Sequence, residues 1–353
     1  MPSIRGSSAA GLIFVISPPK ICCKMFEYME KLIAGFPQDM HQAIDRLRFI
    51  GVMPTDMQNV LITGLGGSGI GGTIAAEVLA RRCSVPVCVN KDYGIPAWVN
   101  THTLVVACSY SGNTEETLAA AHKANEAGAS IAAIASGGQL LATAETEGWV
   151  SAKLPEGYPP RAAFGHGLIT LLGLLQGAGL YNDWDATDLH RVADVLEQSQ
   201  ETIRNTARDL AEKLQNRTPV IYAATGLEGV AVRWRQQINE NAKMLCWHHV
   251  LPEMNHNELV GWAGGDKRMG VLMLRSEDDH PRTALRMNLN MDLMRKQTDC
   301  VLEINAIGTS RMERLYYLVH LGDWLSYYLA VQRQVDPIEV NVITELKNEL
   351  ARH

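Results

Sequence analysis

Residues 103–117 read Thr-Leu-Val-Val-Ala-Cys-Ser-Tyr-Ser-Gly-Asn-Thr-Glu-Glu-Thr, and this stretch decides the fold. Its first six residues are mostly apolar and rich in β-branched types, which predicts a buried strand. Small polar residues follow at Ser109, Ser111 and Thr114, and a helix-forming run begins at Glu115 with acids in its first turn. A helix N-terminus offers unpaired backbone N–H groups and the positive end of a dipole. Together with the hydroxyl groups, it predicts a cradle for a phosphate group.

A glycine-rich turn follows an earlier predicted strand at 59–63. Gly64, Gly66 and Gly69 match the G-x-G-x-x-G pattern of dinucleotide sites, after a strand and before a helix. Such sites also carry an acid about 20 residues further on, at the end of the next strand. Here that strand ends in Asn-Lys and Asp92 comes late, which argues against a nicotinamide site.

Two hydroxyl-bearing turns at successive strand ends converge on one compact anion. We therefore favour a sugar phosphate, held by Gly67 and Ser68 of the glycine turn and by the polar turn at 109–114. A dinucleotide site and a purely structural glycine turn are the two alternatives that the pattern leaves open.

Strands and helices alternate along most of the chain, including a helical pattern between residues 25 and 48. The alternation runs from about residue 50 to 155 and restarts from about 217 to 305. This predicts an α/β fold with two doubly wound lobes, each a mainly parallel sheet flanked by helices, and suggests an internal duplication. We expect an N-terminal extension outside the fold at 1–24, a first lobe at 25–185, a linker helix at 186–216 and a second lobe with C-terminal helices at 217–353.

Composition and charge exclude several classes of function. The net charge is −6 with acids and bases interspersed, so nothing in the composition argues for binding to nucleic acid or to an anionic membrane. An apolar run at residues 11–17 is far too short to span a membrane. The seven cysteines form no CxxC pair, and most lie in apolar runs, which favours reduced, buried thiols and a cytoplasmic protein.

Three further side chains are candidates for chemistry. Arg161 lies in a proline-rich loop, where a solvated arginine is the ordinary case, but two nearby phosphate loops favour a role in bridging anionic oxygens. Glu240 lies between two asparagines at a helix end and is a candidate general base, with a surface glutamate as the alternative. His256 suits proton transfer, with a loop hydrogen bond as the alternative. His248 and His249 are adjacent and so poorly placed as joint metal ligands.

Two sets of motifs resemble known proteins. The turns at 64–69 and 109–117 look like those of the sugar isomerase (SIS) domain. The sequence Asn-Glu-Asn-Ala-Lys at 239–243, followed by Asn-His-Asn-Glu at 255–258, resembles the bifunctional phosphoglucose/phosphomannose isomerase family. The resemblance extends from about Met25 to the C-terminal region.

This resemblance implies two SIS subdomains and a homodimer, in which His256 reaches the active site of the other subunit. It implies that Glu240 is the base that moves a proton between C1 and C2, and that His256 assists ring opening. Lys347, which the residues alone would leave as a helix-surface lysine, aligns with a family lysine near the sugar ring oxygen. The phosphate-binding set would be Gly67, Ser68, Ser109, Ser111, Thr114 and Arg161.

The function that follows is an aldose–ketose isomerase. We expect it to interconvert glucose 6-phosphate, and also mannose 6-phosphate, with fructose 6-phosphate through a cis-enediolate. The expected partner is a small-molecule sugar phosphate, with no nucleic acid and no membrane. No metal or redox cofactor is expected, because the proton movement conserves oxidation state. Two other classes remain: a non-catalytic SIS regulator that senses sugar phosphates, and an NAD-dependent oxidoreductase.

Overall fold

The computed structural model describes residues 23–182 and 186–352. Residues 1–22 of the predicted extension lie outside this range, and the first helix begins at Cys23. The predicted α/β class is confirmed, because helices alternate with strands and the strands form two parallel sheets. Within these ranges, no helix combines the length and the apolar character that crossing a membrane requires.

The first sheet contains five parallel strands. They are β1 (Asn59–Thr63), β2 (Val87–Asn90), β3 (Thr103–Cys108), β4 (Ser130–Ala135) and β5 (Val150–Lys153). Their spatial order is β2-β1-β3-β4-β5, so the stretch at 103–108 supplies the central strand. Every residue of β3 is buried, which accounts for its uninterrupted apolar sequence.

The second sheet repeats the plan with four parallel strands. They are β6 (Thr218–Ala224), β7 (Trp247–Leu251), β8 (Met269–Arg275) and β9 (Val301–Asn305), in the order β7-β6-β8-β9. In each sheet the first strand pairs with the second on one side and with the third on the other. The chain therefore winds in opposite directions from β1 and from β6. Such a topological switch point opens a crevice at the carboxyl ends of the strands.

Helices cover the sheets and connect them. They are α1 (Cys23–Ala34), α2 (Phe36–Asp45), α3 (Gly66–Leu79), α4 (Glu115–Glu126), α5 (Gly138–Glu147), α6 (Phe164–Gly177), α7 (Ala186–Lys213), α8 (Glu228–Ala242), α9 (Glu258–Gly261), α10 (Pro281–Met294), α11 (Arg311–Arg333) and α12 (Asn341–Leu350). The helical pattern predicted between 25 and 48 is two helices, separated at Gly35. Pro37 explains the break, because proline lacks an N–H group and fits only the first turn of a helix.

One continuous hydrophobic core runs through both lobes. Helix α11 packs against α7 and α8 and is buried along most of its length. At its closest approach to α8, a Cβ placed on Gly322 would come within 2.3 Å of Trp234 Nε1. That indole N–H donates to the carbonyl oxygen of Leu318 at 2.8 Å. A side chain at position 322 would therefore push apart the two helices that fix the position of Glu240 at the end of α8.

Candidate active site

Two loops meet at the switch point of the first sheet. Residues 64–68 follow β1 and lead into α3, and residues 109–114 follow β3 and lead into α4. Neither N-cap residue, Leu65 of α3 or Thr114 of α4, makes a side-chain capping bond. The first backbone N–H groups of both helices thus remain available to a ligand or to water. Both helix dipoles also place their positive ends at this edge, which favours an anion.

The predicted hydroxyl residues gather at the same edge. Ser109 Oγ and Thr114 Oγ1 lie 2.8 Å apart, and Ser68 Oγ accepts a hydrogen bond from the backbone N–H of Tyr110 at 2.9 Å. Ser109 is buried, Ser68 and Thr114 are partly exposed, and Ser111 is exposed. The structure therefore brings all four hydroxyl residues together, while their contact with phosphate stays a prediction.

The hydroxyl loop, residues 109–114, is held against residues 137–139 by a close backbone contact. Gly112 has a φ of +70°, and a Cβ there would lie 1.8 Å from the carbonyl oxygen of Gly137. Asn113 Oδ1 accepts from the backbone N–H of Gln139 at 2.9 Å. Only glycine fits position 112, since any side chain would clash and would also strain the left-handed backbone.

Arg161 and Glu240 form the ion pair of the site. Arg161 Nη1 lies 3.3 Å from Glu240 Oε2, and the two side chains are 5% and 28% exposed. Arg161 Nε donates to Asn241 Oδ1 at 2.6 Å, and Nη2 donates to the carbonyl oxygen of Pro337 at 2.5 Å. Burial lowers the pKa of the Arg161 guanidinium, and the charge of Glu240 opposes this shift. Among the described residues, no hydrogen bond joins this guanidinium to the hydroxyl loop.

The glycine turn touches the backbone that carries Arg161. A Cβ on Gly67 would lie 2.9 Å from the carbonyl oxygen of Pro160 and 3.0 Å from Arg161 Cα. The absence of a side chain at position 67 lets the start of α3 approach the proline-rich loop. This contact brings the backbone of the glycine turn next to the backbone of Arg161, one member of the ion pair.

A buried polar network supports the end of α8 that carries the ion pair. Asn241 Nδ2 donates to Ser326 Oγ at 2.9 Å, and Ser326 Oγ donates to the carbonyl oxygen of Asp323 at 2.7 Å. Arg233 Nη2 and Gln237 Nε2 donate to the two carboxylate oxygens of Asp323 at 2.7 and 2.8 Å. Burial raises the pKa of Asp323, and the Arg233 charge opposes this shift. Arg233 Nε is buried without a partner among the described residues, and the remaining hydrogen bonds hold α8 against α11.

Sequence reasoning gave no role to two residues that build the site, Asn241 and Lys243. Lys243 ends α8 in the left-handed conformation with a φ of +52°. Its Nζ donates to the carbonyl oxygens of Glu240, Asp336 and Glu339 at 2.6, 2.5 and 2.8 Å. A lysine just after a helix was a usable signal, because the last helical carbonyls lack partners and favour a cation.

His256 and Lys347 lie apart from the ion pair within one chain. His256 is exposed on a 3₁₀ turn at 253–256, after β7. Lys347 is on α12, a helix whose residues are all exposed. Among the described residues, no hydrogen bond or ion pair links either side chain to Glu240 or Arg161. Their predicted roles stay predictions.

Comparison with known proteins identifies the family. The chain is 40% identical over 336 residues to the bifunctional phosphoglucose/phosphomannose isomerase of Caldicellulosiruptor bescii, which covers 92% of this chain and 99% of that protein. The chain belongs to the bifunctional phosphoglucose/phosphomannose isomerase family. It is therefore an enzyme of the intramolecular oxidoreductase class, and the resemblance read from the motifs at 239–243 and 255–258 is confirmed.

Further comparisons agree. The protein of the same name from Aquifex aeolicus is 34% identical over 302 residues, covering 85% of this chain and 92% of its own. Residues 203–350 match the family described as the bacterial phospho-glucose isomerase C-terminal SIS domain. The C-terminal domain of glucosamine-fructose-6-phosphate aminotransferase from Francisella tularensis superposes with a TM-score of 0.67 at 17% identity, over 88% of this chain and 98% of that one. At this identity the last likeness concerns the fold alone, and it agrees with two SIS-type lobes.

Proposed function

We propose that the protein interconverts glucose 6-phosphate, and also mannose 6-phosphate, with fructose 6-phosphate. The observation that carries this proposal is the Arg161–Glu240 pair, 3.3 Å apart, next to the glycine turn whose Gly67 contacts the backbone of Arg161. A partly exposed carboxylate beside a buried cation can exchange a proton with a substrate and return it. The relatives from Caldicellulosiruptor bescii and Aquifex aeolicus are both named bifunctional phosphoglucose/phosphomannose isomerase.

The phosphate of the substrate occupies the edge where α3 and α4 begin. Its oxygens accept hydrogen bonds from the free backbone N–H groups there and from Ser68, Ser111 and Thr114. Ser109 is buried and bonded to Thr114, so it contributes mainly by shaping the loop. Anchoring the phosphate directs binding energy into positioning the C1–C2 end of the sugar near Glu240.

Glu240 carries out the proton transfer. In the aldose-to-ketose direction its carboxylate removes the proton from C2, and the resulting cis-enediolate keeps the electron pair on the C1–C2–O unit. The carboxylic acid then returns the same proton to C1 while the hydroxyl proton of O2 passes to O1, so no oxidant or reductant is consumed. A general base of this kind contributes about 10²–10⁴-fold to the rate.

Arg161 acts at the reacting end of the sugar. The sequence predicts this arginine as a phosphate ligand, whereas its contact with Glu240 favours a place beside the enediolate. A guanidinium fixed by Asn241 and by the carbonyl oxygen of Pro337 needs no reorganisation when negative charge develops on the substrate oxygens. In the reverse direction, rotation about C2–C3 presents either face of C2 to Glu240, which yields both the glucose and the mannose epimer.

The complete site requires a second copy of the chain. His256 and Lys347 are exposed and separate from Glu240 within one subunit. A homodimer in which His256 enters the neighbouring site would bring a proton-transfer group to the sugar ring oxygen, and Lys347 would assist the same ring opening. We place this enzyme in the cytoplasm, in agreement with the free thiols of five cysteines: Cys83, Cys88, Cys108, Cys246 and Cys300.

The Glu240→Gln variant tests the proposed base. Glutamine keeps the size and an oxygen for Arg161 but cannot accept the proton. We expect kcat to fall at least 10³-fold with both glucose 6-phosphate and mannose 6-phosphate in a coupled assay, while calorimetry still detects fructose 6-phosphate binding. Glu212→Gln, at an exposed glutamate on α7, is the matched control and should retain full activity. Turnover within tenfold of the wild type would remove Glu240 from the base role.

Loss of the loop hydroxyls tests the phosphate cradle. The double variant Ser109→Ala and Ser111→Ala should raise KM for fructose 6-phosphate about 10-fold or more, because Ser111 loses a hydrogen bond to a charged group, worth about 1.5–3 kcal/mol, and Ser109 no longer holds the shape of the loop. Binding of unphosphorylated fructose should change little. An equal loss of affinity for both sugars would place the phosphate elsewhere.

A further inference from the structure

Residues 336–339 lie between α11 and α12, and the backbone carbonyl oxygens of all four bind a cation. Lys243 Nζ donates to the first and the last of these oxygens, those of Asp336 and Glu339, at 2.5 and 2.8 Å. Arg161 Nη2 donates to the two between them, at 2.5 and 3.2 Å. We call residues 336–339 the bridging segment, because both cations depend on it for their hydrogen bonds.

The ammonium group of Lys243 also ties the bridging segment to helix α8. Lys243 follows the last residue of α8, is half-buried, and its Nζ donates to the carbonyl oxygen of Glu240 at 2.6 Å. A carbonyl in the last turn of a helix has no helical N–H partner, and the helix dipole favours a cation there. Together the three carbonyl bonds use all three N–H donors of the ammonium group. Lys243 therefore connects the backbone at the proposed base to the segment that holds Arg161.

Arg161 and Lys243 are like charges that this arrangement keeps close together. Burial lowers the pKa of Lys243, and the charge of Arg161 lowers it further. Three nearby carboxylates oppose the shift, those of Glu339, Asp336 and Glu240. The repulsion between the two cations favours their separation, whereas the carbonyl oxygens of the bridging segment attract both. The two cations therefore stay beside the carboxylate of Glu240 only while the bridging segment stays in place.

The bridging segment has a fixed shape and leads directly into α12. Asp336 Oδ1 accepts from the backbone N–H groups of Ile338 and Glu339 at 2.7 and 3.3 Å, and the side chain of Ile338 packs against the core. At the far end, the Glu339 carboxylate accepts from the backbone N–H of Asn341, the first residue of α12. Every residue of α12 is exposed, so the position of this helix, and of Lys347 on it, depends on where the bridging segment ends.

We propose that Lys243 is a positioning residue of the isomerase site. Its ammonium group fixes the bridging segment to the end of α8, and the segment fixes both the Arg161 guanidinium beside Glu240 and the start of α12. Among the described residues, Lys243 makes no hydrogen bond to the hydroxyl loop, so its loss should change kcat much more than KM. This inference rests on the proposed function, because the reaction at Glu240 supplies the kinetic measurement.

Lys243→Met tests the proposal, because it removes the ammonium group and keeps the length of the side chain. We expect kcat with fructose 6-phosphate to fall about 10-fold or more and KM to change less than about threefold, since Arg161 loses its fixed position while the loop hydroxyls remain. In hydrogen–deuterium exchange followed by mass spectrometry, a peptide covering the bridging segment should exchange faster than in the wild type.

Arg333→Gln is the matched control. Arg333 Nε donates to the carbonyl oxygen of Ala242 at 3.0 Å, at the same end of α8. Among the described residues, this side chain makes no hydrogen bond to the bridging segment. The control variant should therefore keep the kcat of the wild type and the exchange rate of the bridging segment.

Restoring the ammonium group separates a positioning role from a purely structural one. In Lys243→Cys, 2-bromoethylamine alkylates the new thiol and produces a side chain that ends in an ammonium group at nearly the length of lysine. We expect both kcat and slow exchange to return to the values of wild type treated in the same way. Lys243→Ser should gain nothing from the treatment, which controls for alkylation of the native cysteines. Lys243→Gln, whose amide can still donate to one carbonyl oxygen, replaces Lys243→Met if that variant fails to fold.

Three results would overturn the proposal. They are unchanged exchange of the bridging segment on loss of the ammonium group, unchanged kcat, and a kcat that stays low after the ammonium group and slow exchange have returned. The exchange measurement does not involve isomerase activity. It therefore decides whether Lys243 holds the bridging segment even if Glu240→Gln shows the proposed reaction to be wrong.

Discussion

Glu77→Gln should make the stability of the protein less sensitive to a rise in pH from 5 to 7.5. The pKa of Glu77 rises from 4.5 to about 8 in the folded protein, chiefly through burial. Between these two values the folded state binds a proton that the unfolded state has released, so the free energy of unfolding falls as the pH rises. One proton corresponds to about 1.36 kcal/mol per pH unit. Raising the pH from 5 to 7.5 should therefore lower the free energy of unfolding of the wild type by about 3 kcal/mol through this carboxyl group. Glutamine preserves the acceptor for the Gly229 N–H but cannot ionise, so the variant avoids this decrease.

The measurement is urea unfolding followed by tryptophan fluorescence at pH 5 and at pH 7.5. The buried indoles of Trp234 and Trp324 report loss of the core that both lobes share. We expect the difference in free energy of unfolding between variant and wild type to grow by about 3 kcal/mol over this range. Glu212→Gln, an exposed glutamate, should give the same difference at both pH values. Parallel pH profiles for wild type and Glu77→Gln would show that the carboxyl is not held neutral, and the reasoning would fail.

Two further predictions concern the framework of the site. Gly112→Ala should lower the free energy of unfolding by more than about 2 kcal/mol in a denaturation assay, because the new Cβ would lie 1.8 Å from a backbone oxygen and strain a φ of +70°. Gly148→Ala is the control, because Gly148 has a similar φ of +68° but no neighbouring atom within 4 Å. It should lower the free energy of unfolding by less in the same assay. Asp323→Ala should destabilise by about 3–5 kcal/mol, since it leaves the buried Arg233 without its carboxylate. A loss of under 1 kcal/mol in denaturant titration would mean that the Arg233 charge finds another partner.

The sequence predicted the features that depend on local pattern. The strand at 103–108 was recognisable because both of its faces are buried, so its apolar run is unbroken. The glycines of the first turn were recognisable because close backbone approach excludes side chains. Strand β7 was not predicted, because it lies at the edge of its sheet and begins with the exposed Trp247 and two half-buried histidines. An edge strand with polar residues has no periodic pattern of hydrophobic residues that would distinguish it from a loop.

The site was predictable as a set of residues, but its contacts were not. Glu240 and Arg161 were both candidates, yet nothing local in the sequence indicates that they form an ion pair, since the pair depends on how α8 packs against the loop before α6. The contacts of Lys243 with the carbonyl oxygens of Asp336 and Glu339 were hidden for the same reason, because these partners come from a distant segment. The contacts of His256 could not be predicted for a different reason. Its predicted position is in the active site of a second subunit, and in a single chain its side chain is exposed.

The anchoring of Arg161 and Lys243 by the segment at 336–339 has a consequence for biosynthesis. The carbonyl oxygens of Pro337 and Ile338 are partners of Arg161, and those of Asp336 and Glu339 are partners of Lys243. Domains fold from the N-terminus as the ribosome releases them. The first lobe, with the predicted phosphate cradle, can therefore assemble while translation continues, whereas the two cations next to Glu240 wait for residues translated near the end. With the roles proposed above, a nascent chain would acquire the capacity to hold a sugar phosphate before it acquires the capacity to isomerise one.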